Sequence, residues 1–367
     1  MSTKKDKKSL LDSKFMKLAL DLARARIGLT GENPSVGCVI VKNNKILSIG
    51  QTGFNGRPHA EYNAIKNCHE NLNGSKMYLT LEPCNHYGKT PPCTKTIIRS
   101  GIKEIFYPIE DIDKRVKGKS FKILSKNNIK VHRGLKKKEA RDLYNYYFIN
   151  RTNKIPYVTG KIAVSNNKLI FSKNKKRITD KISDKLTHYL RYKNDAILIS
   201  SKTLNIDNPN LNCRIKGLEK FSPKRVILDR NLNINENSYI YKSAKKSNTI
   251  IIHNSNNKLK KIKLIKKNII LIKSEINKNK LFDLKKILKK LYSLGIRTLL
   301  VEGGDIITKT FLRKKLFDEF YFFKSTKNLP KIRNFKIFTS FNFLKNKYYK
   351  NKKRYKLAQD YITIYKR

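Results

Sequence analysis

The chain has 367 residues, 39% of them hydrophobic and 10% aromatic, which is enough for two folded domains and too apolar for a disordered polyelectrolyte. Its 83 basic and 27 acidic residues leave a net charge of +56, spread through every segment, a pattern that disfavours a dedicated nucleic-acid surface and leaves a modest attraction for phosphorylated small molecules. Five cysteines without a repeating framework exclude a secreted disulfide scaffold, and the absence of a membrane-length apolar run or a signal-type leader makes a cytoplasmic protein the expectation.

In chain order, Phe15, Leu18, Leu22 and Ala25 recur at helical spacing and predict a helix over 12–27, with Asp12 or Ser13 as its cap and Gly28 as its stop. A hairpin follows, Val36 to Val41 and Ile46 to Ile49 around Asn43-Asn44. A second helix spans 59–68, a short strand Met77 to Leu81, a helix Cys93 to Ser100 stopped by Gly101, and a strand Ile105 to Tyr107. Residues 121–148 repeat a helix, strand, helix rhythm. Strands alternating with helices predict an α/β layered sandwich. The polar stretch Arg151 to Lys154, ending at Ile155-Pro156, reads as a linker, so domains are expected over 1–150 and 151–367.

The second half starts over with a strand at Tyr157 to Ser165 and a helix over 180–193 with Thr179 as a plausible cap. Strands are expected at 196–200, 225–229, 249–253 and 268–272, then a helix over 282–294 closed by Gly295. A buried strand, Ile296 to Val301, runs into Glu302-Gly303-Gly304 and a helix over 305–312. Residues 324–367 are Lys-rich with interspersed aromatics, and the pattern does not set the limits of their strands.

The chemistry concentrates in His59-Ala60-Glu61 and in Pro83-Cys84 with Cys93. One His and two Cys supply three zinc ligands, and three rather than four leaves a position for water, as catalytic zinc sites require. A Glu that is not a ligand can then move the protons of a hydrolytic deamination, which assigns Glu61 as the proton shuttle. Residues two apart do not share a face in mid-helix, so His59 and Glu61 can act together only in a first turn. In the second half, the Gly pair after a buried strand can let a phosphate approach backbone N–H groups, a reading that a plain tight turn matches equally well.

Eight residues separate Cys84 from Cys93, against two in the deaminases of nucleic-acid bases. That insert, together with Asn33-Pro34-Ser35-Val36-Gly37-Cys38 and Thr80-Leu81-Glu82-Pro83-Cys84-Asn85-His86, resembles the bifunctional riboflavin-biosynthesis deaminase/reductases. The resemblance implies a cytidine-deaminase-like α/β/α sandwich followed by an α/β domain similar to dihydrofolate reductase. It implies zinc on His59, Cys84 and Cys93, and a phosphorylated aminopyrimidine near Asn33 and His86. It extends through Lys161-Ile162-Ala163, Leu190-Arg191 and Asp207-Asn208-Pro209 to Glu302-Gly303-Gly304. There it implies NADPH against Ala163, Thr203, Asp207, Gly303 and Gly304, and the substrate's phosphorylated ribose against Arg191, Leu211, Arg214 and Glu302. The family tends to self-associate, so a homo-oligomer is expected. The chain departs from the family pattern at Asn166-Asn167-Lys168, Lys175, Arg177 and Arg230. Two alternatives stay open at this point: a deaminase with a degenerate reductase half, and a tRNA or nucleotide deaminase.

Overall fold

The computed structural model describes residues 4–171, 177–245, 248–331, 335–345, 349 and 351–367. The departure at Lys175 lies outside the described residues. The chain divides into two compact units, Met1–Lys154 and Ile155–Arg367.

In the first unit, helix α1 (Lys4–Arg26) precedes the hairpin β1 (Gly37–Lys42) and β2 (Lys45–Gln51). Asn43 and Asn44 both adopt positive φ, 49° and 61°, which the tight hairpin turn requires and which asparagine tolerates. Helix α2 (Ala60–Lys66), strand β3 (Lys76–Leu79), helix α3 (Cys93–Arg99), strand β4 (Glu104–Tyr107), helix α4 (Lys119–Lys126), strand β5 (Lys130–Arg133) and helix α5 (Lys137–Asn153) follow. The strands form one sheet in the order β2-β1-β3-β4-β5, with β3, β4 and β5 mutually parallel. Cys38, Ile40, Met77, Leu79, Ile105 and Tyr107 meet α2, α3 and α4 on one face. The other face carries the ring stack Phe15, Tyr78, Phe106 and His132, and α5 is pinned there by Tyr144, whose hydroxyl donates to the Ser35 carbonyl at 2.9 Å.

The buried stripe of α1 is Met16, Ala19, Leu20 and Ala23, one residue offset from the stripe the sequence suggests, and Ala25 is exposed. Gly37 explains the offset. A Cβ there would collide with the Ala19 carbonyl oxygen and the Ala23 nitrogen, so helix and strand touch backbone to backbone, where only small residues fit.

In the second unit, β6 (Tyr157–Val164), β7 (Leu169–Phe171), α6 (Lys181–Tyr192), β8 (Ala196–Ser200) and α7 (Ser201–Asp207) come first. Next are β9 (Lys224–Leu228), α8 (Tyr239–Lys242), β10 (Thr249–His253), α9 (Lys258–Lys266), β11 (Ile270–Lys273), α10 (Leu284–Ser293), β12 (Thr298–Glu302) and α11 (Asp305–Arg313). The chain ends with β13 (Glu319–Lys324), β14 (Lys336–Ile337), α12 (Phe341–Leu344), β15 (Asn351–Leu357) and β16 (Asp360–Lys366). Nine strands make one sheet, β11-β10-β9-β8-β12-β6-β13-β16-β15, parallel from β11 to β13 and antiparallel at the β16-β15 edge. Leu284, Ile287, Leu291 and Phe311 of α10 and α11 cover one face; Leu190, Leu204, Tyr241 and Leu264 of α6 to α9 cover the other. Asp180, not Thr179, caps α6, its carboxylate accepting from the Ser183 N–H at 2.7 Å.

No helix among the described residues is long and apolar enough to cross a membrane. β12 returns between β8 and β6, which places a change of winding direction at the carboxyl ends of these three strands, where open α/β sheets bind ligands.

Candidate active sites

His59 is the extended residue at the head of α2 (φ −70°, ψ 157°), so its ring projects from the helix end. Glu61 sits in the first turn and is only 4% exposed. The loop after β3 delivers Cys84, and Cys93 is the first residue of α3. One ligand atom from each of His59, Cys84 and Cys93 lies within 4.8 Å of the others. The His59 Nδ1 stands 3.2 Å from the Cys93 sulfur and 3.6 Å from the Cys84 sulfur, and the Cys93 backbone N–H donates to the Cys84 sulfur at 3.3 Å. The hydrogen bond from the Cys93 thiol, followed by the one with His59, pulls Cys84 down to about 4, so this sulfur is a ready thiolate. Cys93 goes the opposite way, raised by the proton it shares with Cys84 and by burial. Burial also pushes the Glu61 carboxyl above its ordinary value. One imidazole nitrogen and two sulfurs on a common point form a soft donor set that fits zinc and leaves a fourth position to water.

A cavity of about 260 Å³ opens onto this cluster, and its wall includes Asn33, His59, Glu61, Cys84 and His86. The Asn33 amide nitrogen donates to the Gly56 carbonyl at 2.9 Å, which fixes the plane of that side chain. His86 has a buried Nδ1 with no hydrogen-bond partner in the structure, as expected of a group kept for a ligand. The wall also holds Arg57, Lys89, Asp111 and Arg115, none of which the sequence singles out. Arg115 is engaged by Asp113, with the Arg115 Nε and Nη2 both donating to it.

A larger cavity, about 710 Å³, lies at the carboxyl ends of β6, β8, β9 and β12 in the second unit. Ala163, Thr203, Asp207, Gly303 and Gly304 all border it, as do Arg191, Leu211 and Glu302. Arg214 does not border it; its side chain is exposed and Nη1 reaches Asn212 Oδ1 at 3.4 Å. The Arg191 fork is bidentate to Glu302, with both bonds at 2.9 Å, and its remaining Nη1 donates to the Asn212 carbonyl at 3.2 Å. Burial opposes ionisation of Glu302, but the Arg191 guanidinium outweighs it and holds the carboxyl below its ordinary value. A Cβ on Gly303 would lie 2.5 Å from the Ile307 Cγ2, so the cradle at the head of α11 needs glycine. That backbone cradle, at the positive end of a helix, fits the phosphates of a dinucleotide.

Lys161 escaped assignment from sequence. It stands opposite Glu302 in the β6/β12 register and borders the cavity, and burial lowers its ammonium below the ordinary lysine value. The available signal is a lone charge in the apolar run Gly160-Lys161-Ile162-Ala163. The departures are absorbed locally. Asn167 closes the turn after β6, accepting from the Ser165 hydroxyl and donating to the Leu329 carbonyl, while Lys168 takes the left-handed φ of 64°. Arg177 points outward to Asp184, and Arg230 donates to the Lys280 carbonyl.

Comparison with known proteins places both units. Residues 10–109 match the cytidine and deoxycytidylate deaminase zinc-binding region, and residues 158–359 match the RibD C-terminal domain. The riboflavin biosynthesis protein RibD of Aquifex aeolicus is 38% identical over 319 residues, 86% of this chain and 87% of that protein. RibD of Buchnera aphidicola is 33% identical over 332 residues, 86% of this chain and 87% of its own length. Among solved structures, Acinetobacter baumannii RibD superposes with a TM-score of 0.81 at 26% identity, covering 98% of this chain and 99% of that one. A Thermotoga maritima protein described as a diaminohydroxyphosphoribosylaminopyrimidine deaminase/5-amino-6-(5-phosphoribosylamino)uracil reductase gives 0.79 at 29% identity, with 98% and 99% coverage. The chain therefore belongs to the RibD family of riboflavin biosynthesis proteins, in which a zinc-dependent deaminase is joined to an NADPH-dependent reductase.

Proposed function

We infer that the first unit deaminates diaminohydroxyphosphoribosylaminopyrimidine and that the second reduces the ribosyl group of the product to ribityl. The observation that carries the deaminase is the convergence of His59, Cys84 and Cys93 within 4.8 Å beside a buried Glu61. Zinc, when bound, supplies the polarisation that makes water nucleophilic near neutral pH. Glu61 would take one proton from the attacking water and hand it to the ring nitrogen as the water oxygen bonds to the ring carbon, and would then carry the remaining proton of that oxygen to the amino group. The C–N bond breaks, a carbonyl remains on the ring and ammonia leaves. Burial suits Glu61 to this work, since a carboxylate with a raised pKa is the stronger base toward water and keeps the accepted proton from solvent until the substrate takes it. His86 and Asn33 orient the pyrimidine, and Lys89 and Arg57 at the mouth suit its phosphate.

In the second unit NADPH supplies the hydride. Lys161, side by side with the ionised Glu302 across two strands, holds the proton that the ribose oxygen takes up as its carbon is reduced. Arg191 positions Glu302 and keeps it ionised. Arg214, exposed beside Asn212, is free to turn toward a substrate phosphate. All five cysteines are free thiols, in keeping with a cytoplasmic enzyme, and self-association in the manner of the family belongs to the same reading. The test is ammonia release from the diaminopyrimidine phosphate by zinc-loaded protein, followed by chromatography of the ring product. Release without ring deamination, or none, overturns the substrate assignment.

A further inference from the structure

His188 is not among the groups assigned to either step, yet it sits three residues before Arg191 on α6 and is only 8% exposed. Its Nδ1 lies 3.1 Å from the Asn212 carbonyl oxygen and 3.2 Å from the Arg214 backbone nitrogen. The Asn212 carbonyl already accepts from Arg191 Nη1 at 3.2 Å. The Arg214 N–H therefore sets the tautomer: Nδ1 keeps its lone pair and accepts that N–H, and the ring proton sits on Nε2. Burial, followed by the charges of Arg191 and Arg214, holds the imidazolium below its ordinary value, so the ring stays neutral, as an acceptor must be.

The segment beside His188 is held rigidly. Leu211 borders the large cavity of the second unit, is buried, and adopts a φ of 57°, a left-handed conformation that a bulky side chain keeps only where its surroundings enforce it. The Cys213 N–H donates to the Ser222 hydroxyl at 3.0 Å, so the backbone of 212, 213 and 214 is tied in turn by Arg191, Ser222 and His188. The Arg214 side chain is held far less: it is exposed, and Nη1 makes a long bond of 3.4 Å to Asn212 Oδ1. A fixed backbone under a loosely held guanidinium is the arrangement of an anion-binding arm, ordered at its root before the ligand arrives.

We propose that His188 is a positioning residue of the reductase: by accepting the Arg214 N–H it fixes the root of Arg214, so that the guanidinium meets the phosphate of the ribosyl substrate. This rests on the assignment of Arg214 to that phosphate and can fail separately from it. His188 acts on how the phosphorylated substrate is held and not on hydride transfer, since its bonds go to the 212–214 backbone while Glu302 is held by Arg191.

The test is steady-state reduction of the deaminated phosphate substrate by NADPH in the full zinc-loaded chain. The parent is compared with His188→Ala, His188→Asn, His188→Gln, Arg214→Ala and the double variant His188→Ala/Arg214→Ala. Asn carries an acceptor at the δ position and keeps the bond to the Arg214 N–H, whereas Ala does not. Gln fills the same space with its acceptor at the ε position and is expected to follow Ala, so the comparison survives if the smaller side chain loosens the fold. Circular dichroism and NADPH affinity, read by fluorescence titration, check that each variant is folded. His188→Ala is expected to raise KM about 10-fold with kcat within about twofold of the parent, His188→Asn to restore most of that loss, and His188→Ala to add nothing once Arg214 is gone. An unchanged KM in both His188→Ala and His188→Gln, an equal loss in His188→Asn, a loss in kcat instead of KM, or an undiminished effect of His188→Ala on top of Arg214→Ala overturns the proposal and leaves the phosphate assignment standing. A KM unmoved by Arg214→Ala overturns that assignment, and the proposal with it.

Discussion

Glu61 carries the deaminase reading at the level of single residues. Glu61→Gln keeps the shape and the neighbouring ligands but removes proton transfer. Ammonia release should fall by about 10²–10⁴-fold while metal analysis finds the zinc content unchanged. Cys84→Ser should instead lose zinc and activity together, because a hydroxyl is a poor substitute for the thiolate that Cys84 readily becomes. In the second unit Arg191→Ala strands a buried Glu302, a change expected to cost about 3–5 kcal/mol of stability as well as the reductase step. Asp318 gives a pH signature. Burial pushes its carboxyl up to about 6 from an ordinary 3.8. The folded state therefore binds more protons than the unfolded chain between these values, and stability falls as pH rises through that window, by up to about 3 kcal/mol. Asp318→Asn removes this dependence. Its melting temperature should gain on the parent's between pH 4 and pH 6 and hold a constant offset above, whereas a parallel pair of profiles would refute the assignment.

Among the elements, the contact of α1 with β1 is the most constrained by geometry. Gly37→Ala drives a methyl group into the Ala19 carbonyl and should lower stability by about 1–3 kcal/mol, read as a lower denaturant midpoint at unchanged slope. The same contact shows why the sequence misplaces the buried stripe of α1. Ala19 and Ala23 contribute little hydrophobicity, yet close approach selects them, so periodicity favours the larger Phe15, Leu18 and Leu22. The start of α1 at Lys4 was hidden for a related reason, since no apolar period runs through Lys4 to Lys8. Where strands are short, apolar and ended by turn residues, as at Ala196–Ser200 and Thr249–His253, sequence and structure agree on the bounds. The β13, β15 and β16 ladder was not legible, because β15 is a run of Lys and Arg around the single Tyr355 and carries no buried face of its own; that strand lies almost wholly exposed on the sheet edge. The zinc cluster was legible because three ligands and one carboxylate sit in two short motifs. Lys161, Asp111 and Arg57 were not, because each is one charge among many in a chain of +56 and only the fold brings it to a cavity.

For the molecule as a whole, the groups proposed for each step come from one unit, and the three residues that could hold zinc lie entirely in Met1–Lys154. A zinc chelator should therefore abolish ammonia release while leaving NADPH oxidation intact on substrate that has already been deaminated. Loss of both on chelation would tie the reductase to the metal, which none of the groups proposed for the second step binds. The match over residues 158–359 and the cavity of about 710 Å³ at the carboxyl ends of β6, β8 and β12 favour a working reductase over a degenerate one. The measurement that tests the central claim most directly is a two-stage assay on one preparation of the zinc-loaded chain. The diaminopyrimidine phosphate is supplied and ammonia followed to completion; NADPH is then added and its absorbance followed. Both signals should appear in sequence and in equal molar amounts. Ammonia without NADPH oxidation would contradict the claim that one chain performs both steps, and NADPH oxidation without prior ammonia release would contradict their order.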